Sequence, residues 1–160
     1  MEKDFIDLLN KHRGIIYKIC NLYCNEQGYK KDLFQEIVLQ LWKAFPSFRE
    51  EAQITTWMYR IALNTAISNF RKESKKPQQH PVSLQDFQIP DTSYLADKND
   101  NLTMLMQAIN HLSKVKKAII LLYLDEKSYE DIAAIIGISK TNVGVRINRI
   151  KTKLETLINS

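Results

Sequence analysis

Apolar positions recur along most of the chain at intervals of three and four residues, the period of helices that bury one face. Phe5, Leu8, Leu9, His12, Ile16, Ile19 and Tyr23 form the first such row and predict a helix over 5–23, ended by Gly28. His12 on that row reads as a packed, hydrogen-bonded core residue, because nothing metal-like accompanies it. A second helix is predicted over 32–45, with Leu33, Ile37, Leu41 and Phe45 as one inward row and Phe34, Val38 and Trp42 as its neighbour; Pro46 stops it. After a short polar stretch a third helix runs over 54–72, facing Ile54, Trp57, Met58, Ile61 and Thr65 inward. Three helices with short connections and aromatic-rich faces can share a core even in so small a segment.

Periodicity then disappears. Residues 75–101 are dominated by polar side chains and hold every proline except Pro46, namely Pro77, Pro81 and Pro90. That is more structureless chain than a compact domain keeps as a loop, so it reads as a join between two domains. Isolated Leu84, Phe87 and Tyr94 within it are candidates for docking on a partner. From Leu102 a short helix reaches His111, and a stronger one follows over 113–124, with Ser113 as N-cap and Val115, Ala118, Ile119, Leu122 and Tyr123 inward. The expected fold is all-α: two small helical domains, 1–73 and 102–160, joined by a flexible linker, 74–101.

Composition narrows the function classes. With 44% apolar and 26% charged residues the chain falls in the soluble globular range, and only 4 Gly and 4 Pro exclude an all-β fold with its many turns. No apolar run is long enough to span a bilayer, and Glu2, Asp4 and Asp7 replace the basic start of an export signal, so a cytoplasmic protein without membrane insertion is expected. Cys20 and Cys24 lie one helical turn apart with no second Cys/His pair to complete a zinc site, and read as small buried side chains. No metal or other cofactor is expected. The net charge of +5 is unevenly spread: +2 over 1–73, −1 over 74–101 and +4 over 102–160, mostly after Ile138. A phosphate backbone selects such a footprint.

The most specific local pattern lies late. Ser128, with Asp131 three residues on, starts a short helix carrying Ile132, Ala133 and Ile136, and Gly137 breaks it. Ser139 caps the next helix, whose Val143, Ile147, Ile150 and Leu154 must face inward. The spacing Ala133, Gly137, Val143 is that of a helix-turn-helix: a small residue where helices cross, a glycine free to adopt the left-handed turn, and an apolar plug. Lys140, Thr141, Asn142, Arg146, Arg149 and Lys153 then point outward, able to donate to phosphates or base edges in a major groove. Earlier, wheel geometry places Leu39 among Asp32, Gln35, Glu36 and Lys43 as an apolar knob on a polar face. Arg60, Asn64, Ser68 and Arg71, with Lys72 beside them, form a basic and amide stripe on the third helix. The loop 48–54 before it offers stacking surface and polar edges to an unstacked base.

Asp32-Leu-Phe-Gln-Glu-Ile-Val-Leu-Gln-Leu-Trp42, Phe48, Thr56-Trp-Met-Tyr-Arg-Ile-Ala-Leu-Asn64 and Arg71-Lys72 together resemble region 2 of the extracytoplasmic-function (ECF) sigma factors of bacteria. Leu112, the 121–124 run, Ser128-Tyr-Glu-Asp-Ile-Ala133, Gly137-Ile-Ser139, Arg146 and Arg149 are similar to region 4 of the same family. Everything but the linker and the extreme ends is covered, by two blocks in the right order. The resemblance implies a partner of core RNA polymerase that selects promoters and helps open them. It implies that Asp32, Gln35, Glu36, Leu39 and Lys43 dock on the clamp helices of the largest polymerase subunit. Arg60, Asn64, Ser68, Arg71 and Lys72 would bind the minus-ten element, with a flipped non-template base in the 48–54 loop. The helix from Ser139, through Lys140, Thr141, Asn142, Arg146 and Arg149, would enter the major groove of the minus-thirty-five element, while its domain rests on the flap of the second-largest subunit. The linker would thread near the RNA exit path.

Two departures stand out. Many members read Gly-Thr-Val-Lys-Ser-Arg where this chain has Thr141-Asn-Val-Gly-Val-Arg146, so Gly144 replaces the usual lysine, a substitution that would let the backbone approach DNA closely. The chain also carries no appended sensory domain, so regulation is expected from a separate anti-sigma protein. A two-domain helix-turn-helix regulator is the competing reading and would bind a two-fold operator without polymerase. No catalytic residues are expected: there is no Ser/His/Asp set, HExxH motif, Gly-rich phosphate loop or metal-spaced cluster.

Overall fold

A computed structural model describes residues 1–50, 53–73 and 100–159. Seven α-helices and no strands are found among them, in two compact units, Met1–Pro90 and Asp91–Ser160.

In the first unit α1 (Glu2–Tyr23), α2 (Gln27–Ala44) and α3 (Ile54–Glu73) pack against one another in all three pairings. Phe5, Ile16, Ile19, Cys20 and Tyr23 of α1 meet Leu33, Ile37 and Leu41 of α2 and Met58, Tyr59, Ala62, Leu63 and Ala66 of α3 in one core. Aromatic rings close one end: Phe5 lies 5.0 Å from Trp42 and 5.4 Å from Phe45, centroid to centroid, and Phe48 lies 4.9 Å from Trp57. A 3-10 turn, Phe45–Ser47, follows α2, with Pro46 inside it where a missing N–H costs nothing. Cys20 and Cys24 are buried and unpaired by disulfide, and burial pushes the Cys20 thiol up, far from thiolate chemistry.

Two expectations need correction here. Gly28 does not terminate α1; that helix ends at Tyr23, and Gly28 sits in the first turn of α2, which begins five residues ahead of Asp32. A helix's first turn tolerates polar residues and glycine, so hydrophobic periodicity finds only the part that packs. On α3 the buried face is centred on Met58, Tyr59, Ala62, Leu63 and Ala66, with Thr65 at its edge, while Ile54, Trp57 and Ile61 are half-buried. Apolar residues surround most of this helix, so the face is chosen by where α1 and α2 both reach it. Trp42, on the row adjacent to the inward one of α2, is 40% exposed and meets Phe5 in an edge-type ring contact.

The second unit is built around its last helix. α4 (Asp100–Asn110), α5 (Lys114–Leu124) and α6 (Tyr129–Ile136) each pack on α7 (Lys140–Asn159), whose Val143, Ile147, Ile150 and Leu154 are buried. Serines start three of the four helices by accepting from a first-turn N–H: Ser113 from Lys116 at 3.4 Å, Ser128 from Asp131 at 3.0 Å and Ser139 from Asn142 at 3.1 Å. Gly137 ends α6 with φ +86°, and the N–H groups of Gly137 and Ile138 both donate to the Ala133 carbonyl, at 2.8 and 3.2 Å. On α5 the buried residues are Ala118, Ile119, Ile120 and Leu122; Val115, expected inward, is 36% exposed, in the first turn ahead of the buried stretch. Residues 74–99, most of the expected linker, lie outside the described residues, and Asp100 and Asn101 already belong to α4.

Candidate functional site

The row Val143, Ile147, Ile150, Leu154 fixes the rotation of α7, and geometry of about 100° per residue then puts Thr141, Val145 and Thr152 at the centre of the opposite side, with Arg149 next to them toward Asn142. Lys140, Thr141, Arg149 and Lys153 are exposed, and Asn142 and Arg146 are half-buried along one flank. Lys140 Nζ lies 3.2 Å from Glu130 Oε1, a solvent-exposed pair that ties the two helices only weakly and leaves the lysine free to exchange partners. On the other flank Lys151 sits 4.4 Å over the Tyr123 ring, and its hydrogen bond to Tyr123 raises its pKa. Gly144 shares that flank. A Cβ there would meet the Tyr129 ring at 3.4 Å, ordinary van der Waals contact, so this position faces α6 and has room for an alanine.

On α2, Leu39 is 43% exposed among half-buried Asp32, Gln35 and Glu36 and exposed Lys43, and Glu36 is held by a 2.9 Å hydrogen bond from the Gln40 amide. Trp42, three residues after Leu39, widens this knob into an apolar ridge. The sequence places Trp42 on the row adjacent to the inward one, on the Leu39 side, which was the available signal for this ridge.

On α3, Arg60, Asn64 and Ser68 are exposed on one stripe, with the Ser68 hydroxyl donating to the Asn64 carbonyl at 2.6 Å. Arg71 and Lys72 continue the helix, and their side chains lie outside the described residues, as do Glu51 and Ala52 of the preceding loop. Beside that loop is a cavity of about 600 Å³ lined by Phe45, Phe48, Glu50 and Ile54 and, across it, by Asp4, Leu8, Lys11 and His12 of α1. Two aromatic rings and two aliphatic side chains share this lining with four titratable ones, so the space offers a base both stacking surface and polar edges. The α1 contribution was invisible to sequence reading, which treated His12 as core. His12 is instead half-buried, lines the cavity and marks a break in α1 (φ −120°, ψ 18°). Desolvation, then the neighbouring Lys11 charge, lowers its pKa, which favours the neutral ring.

These features define a class: a helical protein whose C-terminal unit is a helix-turn-helix with a polar, basic outer face on its second helix. Comparison with known proteins places it within that class. Residues 8–76 match the family model for Sigma-70 region 2, and residues 102–154 match that for Sigma-70, region 4. The ECF RNA polymerase sigma-E factor of Haemophilus influenzae is 28% identical, over 98% of this chain and 88% of its own length. The ECF RNA polymerase sigma factor SigW of Bacillus subtilis is 26% identical, over 91% of this chain and 83% of its own. Among solved structures, CnrH in complex with the cytosolic domain of CnrY aligns with a TM-score of 0.70 at 19% identity, covering 99% of this chain and 90% of that one. The sigma factor RpoE in complex with the anti-sigma factor NepR from Bartonella quintana gives 0.69 at 23% identity, covering 98% of each chain. The chain belongs to the sigma-70 family, in its ECF group, the proteins through which RNA polymerase initiates transcription.

Proposed function

We propose that this chain binds core RNA polymerase and directs promoter-specific initiation, with residues 1–73 serving polymerase and the minus-ten element, 102–160 the minus-thirty-five element, and 74–101 joining them. The observation that carries this reading is α7: a helix anchored by four buried aliphatic residues whose free side offers Lys140, Thr141, Asn142, Arg146 and Arg149. Cations there neutralise phosphates, and Arg146 and Arg149 are long enough to reach base edges. In the first unit the Leu39 ridge, ringed by Asp32, Gln35, Glu36 and Lys43, suits a helical surface of the polymerase, since an apolar knob inside a polar ring gains contact area without an aggregation-prone patch. Arg60, Asn64 and Ser68, with Arg71 and Lys72, serve as the minus-ten surface, and the cavity beside Phe48 takes a flipped base between aromatic walls. Nucleotide addition belongs to the polymerase, and the chain works where polymerase works, in the cytoplasm. Control by a separate anti-sigma protein is part of the same reading, by analogy with the relatives solved in such complexes.

In vitro transcription with purified core polymerase on a promoter library tests it. Transcripts starting at a shared pair of upstream motifs, only when the chain is added, are the expected result. Core-independent, tight binding to a palindromic site, with no transcript from any template, would overturn it in favour of a dimeric repressor or activator.

A further inference from the structure

Val145 is 41% exposed, the one large apolar side chain that α7 leaves so open among the described residues. It lies at the centre of the helix's outer side, one turn after exposed Thr141 and one turn before exposed Arg149. No packing inside the unit accounts for it, since the buried row of α7 runs along the opposite side. A solvated face gains nothing from a β-branched residue, which is a poorer helix former than the polar alternatives. In a major groove the position has a definite chemical complement. Of the four bases only thymine presents an apolar group there, its 5-methyl, whereas the other edges present donors and acceptors that an isopropyl group leaves unpaired. Lys140, Arg146 and Arg149 lie near it on the same helix, and in the proposed complex their cations would neutralise the flanking phosphates.

We propose that Val145, aided by the Thr141 methyl one turn earlier, is a specificity-determining residue that reads the 5-methyl of a thymine in the upstream promoter element. This rests on α7 being the DNA-reading helix. The residue selects thymine by burying one methyl group and disfavours cytosine and the purines by offering their polar edges no partner.

The test uses the full chain with core polymerase on a promoter recovered by selection. Each thymine of the upstream element, on both strands, is replaced singly by deoxyuridine, which removes the methyl and keeps every hydrogen-bonding group. Holoenzyme affinity should fall about fourfold at one or two positions, the worth of a buried methyl. Val145→Ala should lose affinity on the unmodified promoter and no longer distinguish thymine from uracil at those positions. The exposed site and alanine's better helix propensity keep that variant folded. A uniform response to uracil, an element without A·T pairs, or an unchanged uracil penalty in Val145→Ala would overturn the thymine contact. Arg149→Ala separates the two levels. If it weakens upstream binding while uracil has no effect, the thymine contact alone fails; if it too leaves binding unchanged, α7 is not the reading helix and both ideas fall.

Discussion

Two glycines in the helix-turn-helix perform opposite tasks and respond oppositely to substitution. Gly137 holds φ +86°, a backbone that costs a side-chain-bearing residue about 1–2 kcal/mol. Gly144 is ordinary helix, and the Cβ it lacks would fall at 3.4 Å from the Tyr129 ring, normal van der Waals contact. Gly144→Ala should therefore stabilise the second unit by about 1 kcal/mol, from helix propensity. Gly137→Ala should destabilise it by a similar amount. Thermal unfolding of the two variants followed by circular dichroism checks this, and equal shifts of the same sign would contradict it. Gly144 also marks a limit of sequence reading. Its replacement of a common family lysine was visible, but not that the vacated space faces an aromatic ring of α6, because that depends on the crossing of two helices.

At the scale of the element, the amphipathic pattern located most helices and the inward rows of α1, α2 and α7, since a single stripe of aliphatic residues admits one orientation. It failed where that condition fails. α3 is apolar most of the way round, so its buried face was displaced toward Tyr59, Ala62 and Ala66. The first turn of α2 contributes polar residues and a glycine, so its start was missed by five residues. The aromatic cavity needs α1 and the 45–54 segment side by side, a pairing no local pattern encodes. Leu39 was legible because its neighbours on the wheel are polar, and the ridge it forms with Trp42 is solvent-accessible and free of core-packing duty at its outer edge. Leu39→Asp combined with Glu36→Lys should abolish assembly with core polymerase while leaving helicity unchanged, because neither side chain belongs to the buried set. Size-exclusion chromatography with core enzyme, beside far-ultraviolet circular dichroism, reads both quantities. Intact assembly would remove this face from the interface.

For the whole molecule, the placement of basic groups in two separate units implies a division of labour that kinetics can resolve. On the proposed function, Arg146, on the flank of α7, would serve upstream binding, and Asn64, exposed in the middle of the α3 stripe, would serve strand separation. Arg146→Ala should weaken holoenzyme binding by about 1–3 kcal/mol, with a loss that varies from one upstream sequence to another if the guanidinium contacts a base. Asn64→Ala should slow open-complex formation, monitored by permanganate reactivity of unpaired thymines, with little change in core affinity. Because the two residues share no partner and sit in different units, their effects on the overall rate of initiation should add to within about 0.5 kcal/mol. A larger interaction energy in the double variant would mean that upstream engagement and melting proceed as one concerted step, with the 74–101 segment transmitting force rather than only joining the units.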